Sequence, residues 1–596
     1  MSANPLSIAL PAVGVFQDEG VVTFDTNAWS SGVSFIHTAT NMHIAERRFQ
    51  TRSQWRELSL ESAPDDWAGA NTQGVISYDP RIGKTRENET SGDLGMIESA
   101  AGKLFRITPS THTFKVEDIS NGVVGKASMR LAWLAQGENY VVRTDGVSPT
   151  QIWNGVTTTT STGYNKDAPA SSRLPNFAGP IVYTDRFWVV NNGNDIIAGD
   201  HIHRINLVGN DDILKTTDQS YDITSVSFPP PTEMGDIVSL HNVTSVRGGD
   251  LAAQGEIVAG TQGPGMWGVL SGTARSKWSQ TSMRRVIHPS VGPTGPFAAW
   301  TANDELVMRT AEGVTSIKYA GQETSQVGNP HVNIGNEIKP LLDKDPSDML
   351  LFASMMVSSR RQRLACTVWP ITDGAARWHR GYVTAALAPG RTRVPEPMVW
   401  EGVSTIPTAM GEIIQFCEVR SLGTARLFAV TRKPDGTKGL AEWTSAWGDD
   451  VLADGTSVPI PWQILTRRLT IGGEYSVSSW GAVYLSLLNI RDKVDIVISA
   501  RDRMDAEFKV VYTGTVTNPK WGAEGGYADA EMISLGTRFK EFKRPWLQIL
   551  IQGTGSCIAD LAIGGTGSGS PIETSSGKEV CVQPETICQF DPFKRA

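Results

Sequence analysis

Residues 296–319 constrain the fold of this chain more than any other stretch. The run Pro-Phe-Ala-Ala-Trp-Thr-Ala-Asn-Asp-Glu-Leu-Val-Met-Arg-Thr-Ala-Glu-Gly-Val-Thr-Ser-Ile-Lys-Tyr reads as three short strands folded back on themselves. Apolar side chains recur at Leu306 with Met308 and, less regularly, at Val314 with Ile317. The breaks fall at Asn303-Asp304 and Glu312-Gly313, where Asn, Asp and Gly tolerate the backbone angles of tight turns. A meander of strands this short is the unit of a β-propeller blade.

The same strand-and-turn rhythm recurs along the chain. Residues 103–107 and 113–116 flank a turn at Thr108-Pro109-Ser110, and 139–143 and 151–153 are strands ending in Asp145-Gly146 and Asn154-Gly155. Residues 181–190 hold two strands around an Asp-Arg corner, while 256–260 pairs with 266–270 across Gly263-Pro264-Gly265. Residues 425–431 pair with 438–443 across Lys433-Pro434-Asp435-Gly436, a turn with a mechanism in both its Pro and its Gly. The Thr/Ser run 157–163 reads as a flexible loop. Neither a Gly-His to Trp-Asp repeat nor kelch-type glycine pairs occur, so the blades are divergent. The expected class is all-β: an irregular N-terminal arm over 1–60, a divergent β-propeller over 61–465, a β-sandwich-like unit over 466–563, and a Gly/Ser linker with a C-terminal tail over 564–596.

Composition narrows the function classes. The 596 residues are 40% apolar, enough for a sizeable core, yet no stretch approaches the roughly 20 apolar residues of a membrane helix. The start, Met1-Ser2-Ala3-Asn4-Pro5, has neither a basic region nor an apolar core like those of a signal peptide, so the chain is expected to mature where it is made. Five cysteines (366, 417, 557, 581, 588) form a scattered set without a CxxC pair, as expected of reduced, buried apolar residues. The six-residue gap between Cys581 and Cys588 fits a loop bridge as well as chance. A net charge of −8 without a basic stripe argues against a nucleic-acid grip, which needs clustered cations to displace counterions. The short clusters at Arg47-Arg48, Arg284-Arg285 and 359–363 read as solvated faces or interface ion pairs.

Chemical constellations are weak. His201-Ile202-His203 puts two imidazoles on one strand face, a spacing that can hold zinc, but without a nearby third ligand it reads as a polar face. No Gly-x-Ser-x-Gly elbow appears, and Gly248-Gly249 and Gly472-Gly473 do not precede helices, so they are turns rather than phosphate cradles. Asn88-Glu89-Thr90 and Asn242-Val243-Thr244 match a glycosylation acceptor that matters only on secretion. No catalytic, cofactor-binding or metal-binding residue is assigned, and no cofactor is expected.

Four places carry a likeness to a family. They are Asn41-Met42 with Glu46-Arg47 and Thr51-Arg52; residues 139–155 with Asp145-Gly146 and Ile152-Trp153-Asn154-Gly155; Asp185-Arg186-Phe187-Trp188 followed by Ile197-Ala198-Gly199-Asp200; and Gly292 and Gly295 leading into 296–319. In this order, over residues 40–445, they resemble the β-propeller tail proteins of tailed bacteriophages, above all the tail tube or nozzle protein of short-tailed phages. In the last place Asn303-Asp304 stands where the family has Gly-Asp. The resemblance implies a virion protein assembled in the host cytoplasm into a ring, a homohexamer hung below the portal and the head-to-tail adaptor. Tail fibres attach to such a ring, and DNA passes through it without specific binding. An acidic chain suits that passage, because few phosphates would be neutralised.

Two rival classes remain. A propeller of the tail tip could bind a host receptor or polysaccharide, since 18 Trp and 11 Tyr could stack on sugars, although filling between blades is the better account of the aromatics. A propeller glycosidase or depolymerase would need two placed carboxylates, for which Asp65, Asp66, Glu401 and Asp449 are candidates by number alone.

Overall fold

A computed structural model describes residues 6–10, 21–24, 36–45, 48–82, 94–138, 140–161, 174–184, 186–191, 194–199, 228–245, 254–263, 265–270, 284–288, 291–302, 305–317, 335–358, 363–373, 376–387, 398–421, 424–471, 477–517, 531–534, 542 and 546–568. The regular structure of the described chain is almost entirely strand, with a few helical turns of three to six residues. It divides into two units, one made of residues 40–43 and 51–460, the other of 1–39, 44–50 and 461–596.

Within the first unit the described strands form seven successive groups. The first sheet holds Thr72–Tyr78, Gly95–Ala100, Lys103–Pro109 and Thr113–Asp118, with Ser59–Ser62 parallel on its outer edge. The second holds Trp133–Gly137, Tyr140–Thr144, Gln151–Trp153 and Thr158–Thr160, and the third Ile181–Tyr183, Phe187–Val190 and Ile196–Ala198. The fourth holds Ile237–Ser245, Gln254–Thr261, Met266–Leu270 and Arg284–His288, and the fifth Ala299–Ala302, Glu305–Thr310 and Gly313–Ser316. Met355–Ser358, Arg363–Asp373, Ala376–Leu387 and Met398–Ser404 make the sixth. Glu412–Ser421, Thr424–Arg432 and Lys438–Trp443 make the seventh, whose outer edge is Trp55–Glu57 from the start of the chain.

Side-chain alternation explains why the middle strands read as unbroken apolar runs. Successive residues point to opposite faces, and here both faces are covered. Val141 packs between the first and second sheets with Ile97 and Trp153, whereas Val142 packs between the second and third with Phe187 and Val189. Trp188 turns to the fourth sheet with Ile257 and Trp267, and Val258 turns to the fifth with Leu306 and Met308. Val307 joins Leu364 and Trp400 of the sixth, while Ala365 and Tyr382 join Phe416 and Trp443 of the seventh. The series then returns to its start: Phe428, Val430 and Leu440 of the seventh sheet pack on Phe105, Phe114 and Trp67 of the first. Each sheet therefore shares a core with the next, and the last shares one with the first.

Buried ion pairs lock that closure. Arg52 donates from Nη1 and Nη2 to the two carboxylate oxygens of Asp450 at 2.7 and 2.5 Å, and from Nε to Asn41 Oδ1 at 3.1 Å. Asp450 Oδ1 also accepts the Trp55 N–H at 2.7 Å, so the pair holds the entry of Trp55–Glu57 against the short strand Asp450–Val451 that follows the seventh sheet. Burial opposes the Arg52 charge, but attraction and hydrogen bonds from Asp450 outweigh it and raise the pKa above its ordinary value. Between the seventh and first sheets, Lys438 Nζ lies 2.7 Å from Glu98 Oε1, and Glu98 also accepts from Trp67 Nε1 and Thr72 Oγ1, each at 2.6 Å.

The second unit holds two sheets. In one, Ile558–Ser568 runs antiparallel to Val477–Leu488 on one side and to Leu6–Leu10 on the other, and Glu531–Ser534 pairs with Val477–Leu488. In the other, Trp546–Thr554 lies between Pro461–Thr466 and Lys493–Arg501, and Lys509–Thr517 follows outside.

Several expectations need correction. Residues 158–160 of the expected Thr/Ser loop are a strand paired with Gln151–Trp153, because β-branched Thr suits an edge strand. The strand expected to end before Thr108 runs on to Pro109, and the turn closes through Ser110 N–H to Thr113 O. The Gly-rich run from 564 is part of the strand Ile558–Ser568, its backbone paired at Gly564 with Ala482 and at Gly567 with Ser478, so it is not a linker there. The N-terminal segment is also more regular than its patterning suggests, since Trp55–Glu57 and Ser59–Ser62 complete the seventh and first sheets. By contrast, the three strands read from 296–319 are present as Ala299–Ala302, Glu305–Thr310 and Gly313–Ser316. Their Asn303-Asp304 break lies outside the described residues, as do His201, His203, Cys581, Cys588, both Gly-Gly pairs and Asn88-Glu89-Thr90.

Candidate functional site

The carboxylates weighed for hydrolysis are dispersed. Asp66 pairs with Lys103 at 2.7 Å beside the first sheet, and Glu401 is buried in the sixth sheet on Arg363 at 3.0 Å. Asp449 lies near the seventh sheet's outer edge, its backbone oxygen accepting from Gln54, and Asp65 is exposed. Glu401 and Arg363 form an ion pair within the sixth sheet, and residues 359–362 of the basic cluster lie outside the described residues. Cys366, Cys417 and Cys557 are buried, and burial pushes the Cys366 thiol up to about 12, where it is inert as a nucleophile. Among the described residues no group of three His, Cys, Asp or Glu is placed to hold a metal ion, and no helix is long and apolar enough to cross a membrane. The fully buried tryptophans 55, 67, 153, 188, 267, 400 and 443 fill the cores between sheets rather than presenting rings to a ligand.

A different set of residues converges where connections between sheets meet the first sheet. The connection from the first to the second sheet brings Arg130 and Leu131, and the connection from the fifth to the sixth brings the short helix Ser347–Phe352. Gly295 makes room for that helix: a Cβ there would sit 2.1 Å from the Leu351 carbonyl oxygen. The third contribution is the long hairpin of the sixth sheet, Arg363–Asp373 with Ala376–Leu387, which pairs His379 with Ile413 of the seventh sheet. It carries Arg377 as far as the first sheet, where Nη2 donates to Thr72 O at 2.8 Å.

Two guanidiniums meet one aromatic ring here. Arg130 lies 4.7 Å and Arg377 4.4 Å from the centroid of Phe352. Their remaining partners are neutral: Thr72 O for Arg377 and Met349 Sδ at 3.5 Å for Arg130, whose Nε is buried without a hydrogen-bond partner. Neither is paired with a carboxylate among the described residues. Burial and, less, the Arg130 charge lower the Arg377 pKa to about 9. A cation over an aromatic face gains about 0.5–2 kcal/mol, less than the several kcal/mol that burying an ion costs. His379, also buried, has its pKa lowered to about 4 by burial and, less, by Arg377, against the Ile413 carbonyl bonded to its Nδ1.

A small pocket opens beside this cluster, lined by Ala70, Asn71, Thr72, Arg377, Trp378, Ile414 and Arg432. Arg432 lies 6.0 Å from the Trp378 ring and makes only long contacts, 3.4 Å each, to the carbonyls of Ala68 and Gly69. Burial lowers its pKa, opposed by Asp435. The pocket's side chains thus include two guanidiniums and no carboxylate.

Sequence reading missed this cluster because Arg130, Arg377 and Arg432 are isolated in the chain and come together only through closure. The visible signal lies elsewhere: the second strands of the second and fifth sheets both end in Arg-Thr, at 143–144 and 309–310. Both arginines turn inward to carboxylates, Arg143 to Asp145 at 3.0 Å and Arg309 to Asp345 at 3.5 Å. Against that repeated pattern, the pair without carboxylates stands out.

No protein-family model and no curated protein matches the chain. Among solved structures it is similar to BBS1N in complex with ARL6DN, at 10% identity and a TM-score of 0.35, over 66% of this chain and 98% of that one. It is also similar to the computationally designed Ika8 protein, at 8% identity and a TM-score of 0.31, over 65% of this chain and 99% of that one. A third is the extracellular domain of a hybrid two component system from B. thetaiotaomicron, at 9% identity and a TM-score of 0.36, over 82% of this chain and 57% of that one.

Proposed function

We propose that the unit of residues 51–460 is a seven-bladed β-propeller and that the chain is a structural virion protein, the tail nozzle of a short-tailed phage. The observation that carries the propeller is the cycle of cores, in which each sheet packs on the next and the seventh on the first. The Trp55–Glu57 strand on the seventh sheet supports it, because a ring closed by its two ends resists opening. The order of the four motifs over residues 40–445 supports the virion role, as does an acidic surface that lets a polyanion slide. In this reading the chain forms a hexameric ring below the adaptor, fibres attach to it, and DNA passes through it.

Immunogold electron microscopy of intact particles of the source virus, with antibody to the purified chain, tests the role. Label at the distal end of a short tail is expected; particles without label would sink the reading. A second reading, a propeller that binds a ligand at the tail tip, is favoured by one observation, the arginine-lined pocket.

A further inference from the structure

We propose that the pocket between Arg377 and Arg432 is a binding site for a phosphate group. The inference is independent of the virion role and stands on geometry. Two guanidiniums, of Arg377 and Arg432, line the opening, and Arg130 shares with Arg377 the Phe352 ring outside it. Guanidinium stays protonated in a protein, so burial leaves a charge to be met rather than one that can be shed. Four other buried cations of this unit meet carboxylates: Arg52 with Asp450, Arg143 with Asp145, Arg309 with Asp345 and Lys438 with Glu98. Here no described carboxylate lines the opening; Glu412 stands opposite Arg432 in the strand ladder, and Asp435, which acts on Arg432, is fully exposed on the turn beyond it.

Charge and shape select the ligand. A carboxylate would offset one of the two positive charges that line the opening, whereas a phosphate dianion offsets both and presents oxygens in several directions at once. That matches planar donor forks arriving from different elements, Arg377 from the sixth sheet and Arg432 from the seventh, with Asn71 alongside. The opening is too small for a drug-sized or sugar ligand and suits one oxyanion group. Trp378 and Ile414 wall it on the apolar side, which strengthens charge-assisted hydrogen bonds by keeping water away. The phosphate could be the free ion or the terminal group of an ester.

The test is calorimetric titration of the full-length protein with inorganic phosphate and, separately, with a nucleoside 5′-monophosphate. Acetate at equal ionic strength is the comparison anion. One phosphate per chain is expected, with acetate at least about tenfold weaker. Tighter binding of the monophosphate than of inorganic phosphate identifies an ester as the source; equal or weaker binding identifies the free ion. Arg432→Gln, at the half-buried rim, is expected to weaken phosphate by about tenfold. Arg377→Gln should weaken it more, and a failure of that variant to fold leaves Arg432→Gln as the decisive one. Lys115→Gln, on an exposed strand of the first sheet, should bind as the parent does. No titratable binding of either phosphate, acetate equal to phosphate, or an Arg432→Gln variant that binds like the parent would overturn the proposal.

Discussion

Two regions of the same unit bury arginine in opposite ways. At the closing seam, Arg52 has hydrogen-bond partners on all three nitrogens: Asn41 on Nε, Ser53 O and Asp450 on Nη1, and Asp450 again on Nη2. At the Phe352 cluster, buried Arg377 and half-buried Arg130 face a phenylalanine, a thioether and one carbonyl. A compensated buried charge fixes one geometry and has nothing left to offer a ligand. An uncompensated one keeps donors in reserve at the expense of stability, as binding sites commonly do. The seam is thus a lock and the Phe352 cluster a receptor, and the contrast can be tested by breaking each.

The largest effect is expected at the seam. Asp450→Asn leaves the Arg52 charge buried without its counter-ion and weakens the tie on the Trp55 N–H, so unfolding by denaturant should show a loss of about 3–5 kcal/mol. Arg52→Met should lose a similar amount by stranding Asp450. A loss under about 1 kcal/mol would mean that the Trp55–Glu57 strand is held by its cross-strand bonds and apolar packing alone.

Acid should separate the regions next. His379, beside Arg377, has its pKa lowered to about 4 by burial first and Arg377 last, with the Ile413 carbonyl opposing. The folded state favours the neutral ring, so its contribution is complete above the ordinary value of about 6.5 and is lost as pH falls from there towards 4. The lost stability is about 3 kcal/mol. His241 in the fourth sheet, with its pKa also lowered to about 4, adds a loss in the same window. Replacing His379 by Gln should flatten part of the pH slope of stability between 6.5 and 4, and an unchanged slope would assign it to His241 alone.

How much of this was legible in the sequence follows from where each partner lies. The middle strands were visible because both of their faces are apolar: Phe187-Trp188-Val189-Val190 needs only its own alternation to be read. The hairpin at 425–443 was visible because Pro434 and Gly436 announce its turn. Trp55–Glu57 was hidden, because its reason to be a strand is a sheet edge supplied by residues 441–443. The Gly-rich stretch after Ile563 misleads in the same way, since a backbone ladder with Val477–Leu488 supplies an order that its composition lacks. The arginine cluster was illegible for a further reason. Arg130, Arg377 and Arg432 belong to three separate parts of the cycle, and nothing local marks an arginine that will be buried without a carboxylate.

The two Arg-Thr positions make a finer comparison. At Asp145, burial would raise the pKa, but the N–H groups of Ser148 and Val147 and the Arg143 charge outweigh it, so the folded value lies below the ordinary one. Its stabilisation is present above about pH 3.9 and is lost as pH falls through the lowered folded value. At Asp345 burial prevails over the Trp369 N–H and Arg309, so the folded pKa is raised and the sign reverses: its contribution is present at low pH and is lost as pH rises through the folded value. At pH 7, Asp145→Asn should therefore lose about 1–3 kcal/mol, and Asp345→Asn distinctly less. Equal losses would show that the two positions are equivalent in energy as well as in register.

The smallest change tests the receptor itself. Replacing Arg377 by Met removes its hydrogen bond to Thr72 O, about 1 kcal/mol, and its contact with Phe352, about 0.5–2 kcal/mol. It also removes a buried charge and its repulsion with Arg130, which returns most of that loss. In phosphate-free buffer the net effect should be within about 1 kcal/mol, against several for Arg52→Met at the seam. Phosphate should then widen the gap between parent and variant, because only the parent gains stability from a ligand that binds the folded state. A loss of 3 kcal/mol or more without phosphate, on the scale of a broken buried pair, would mean that Arg377 already has its counter-ion within this chain. The contrast between lock and receptor would then fail.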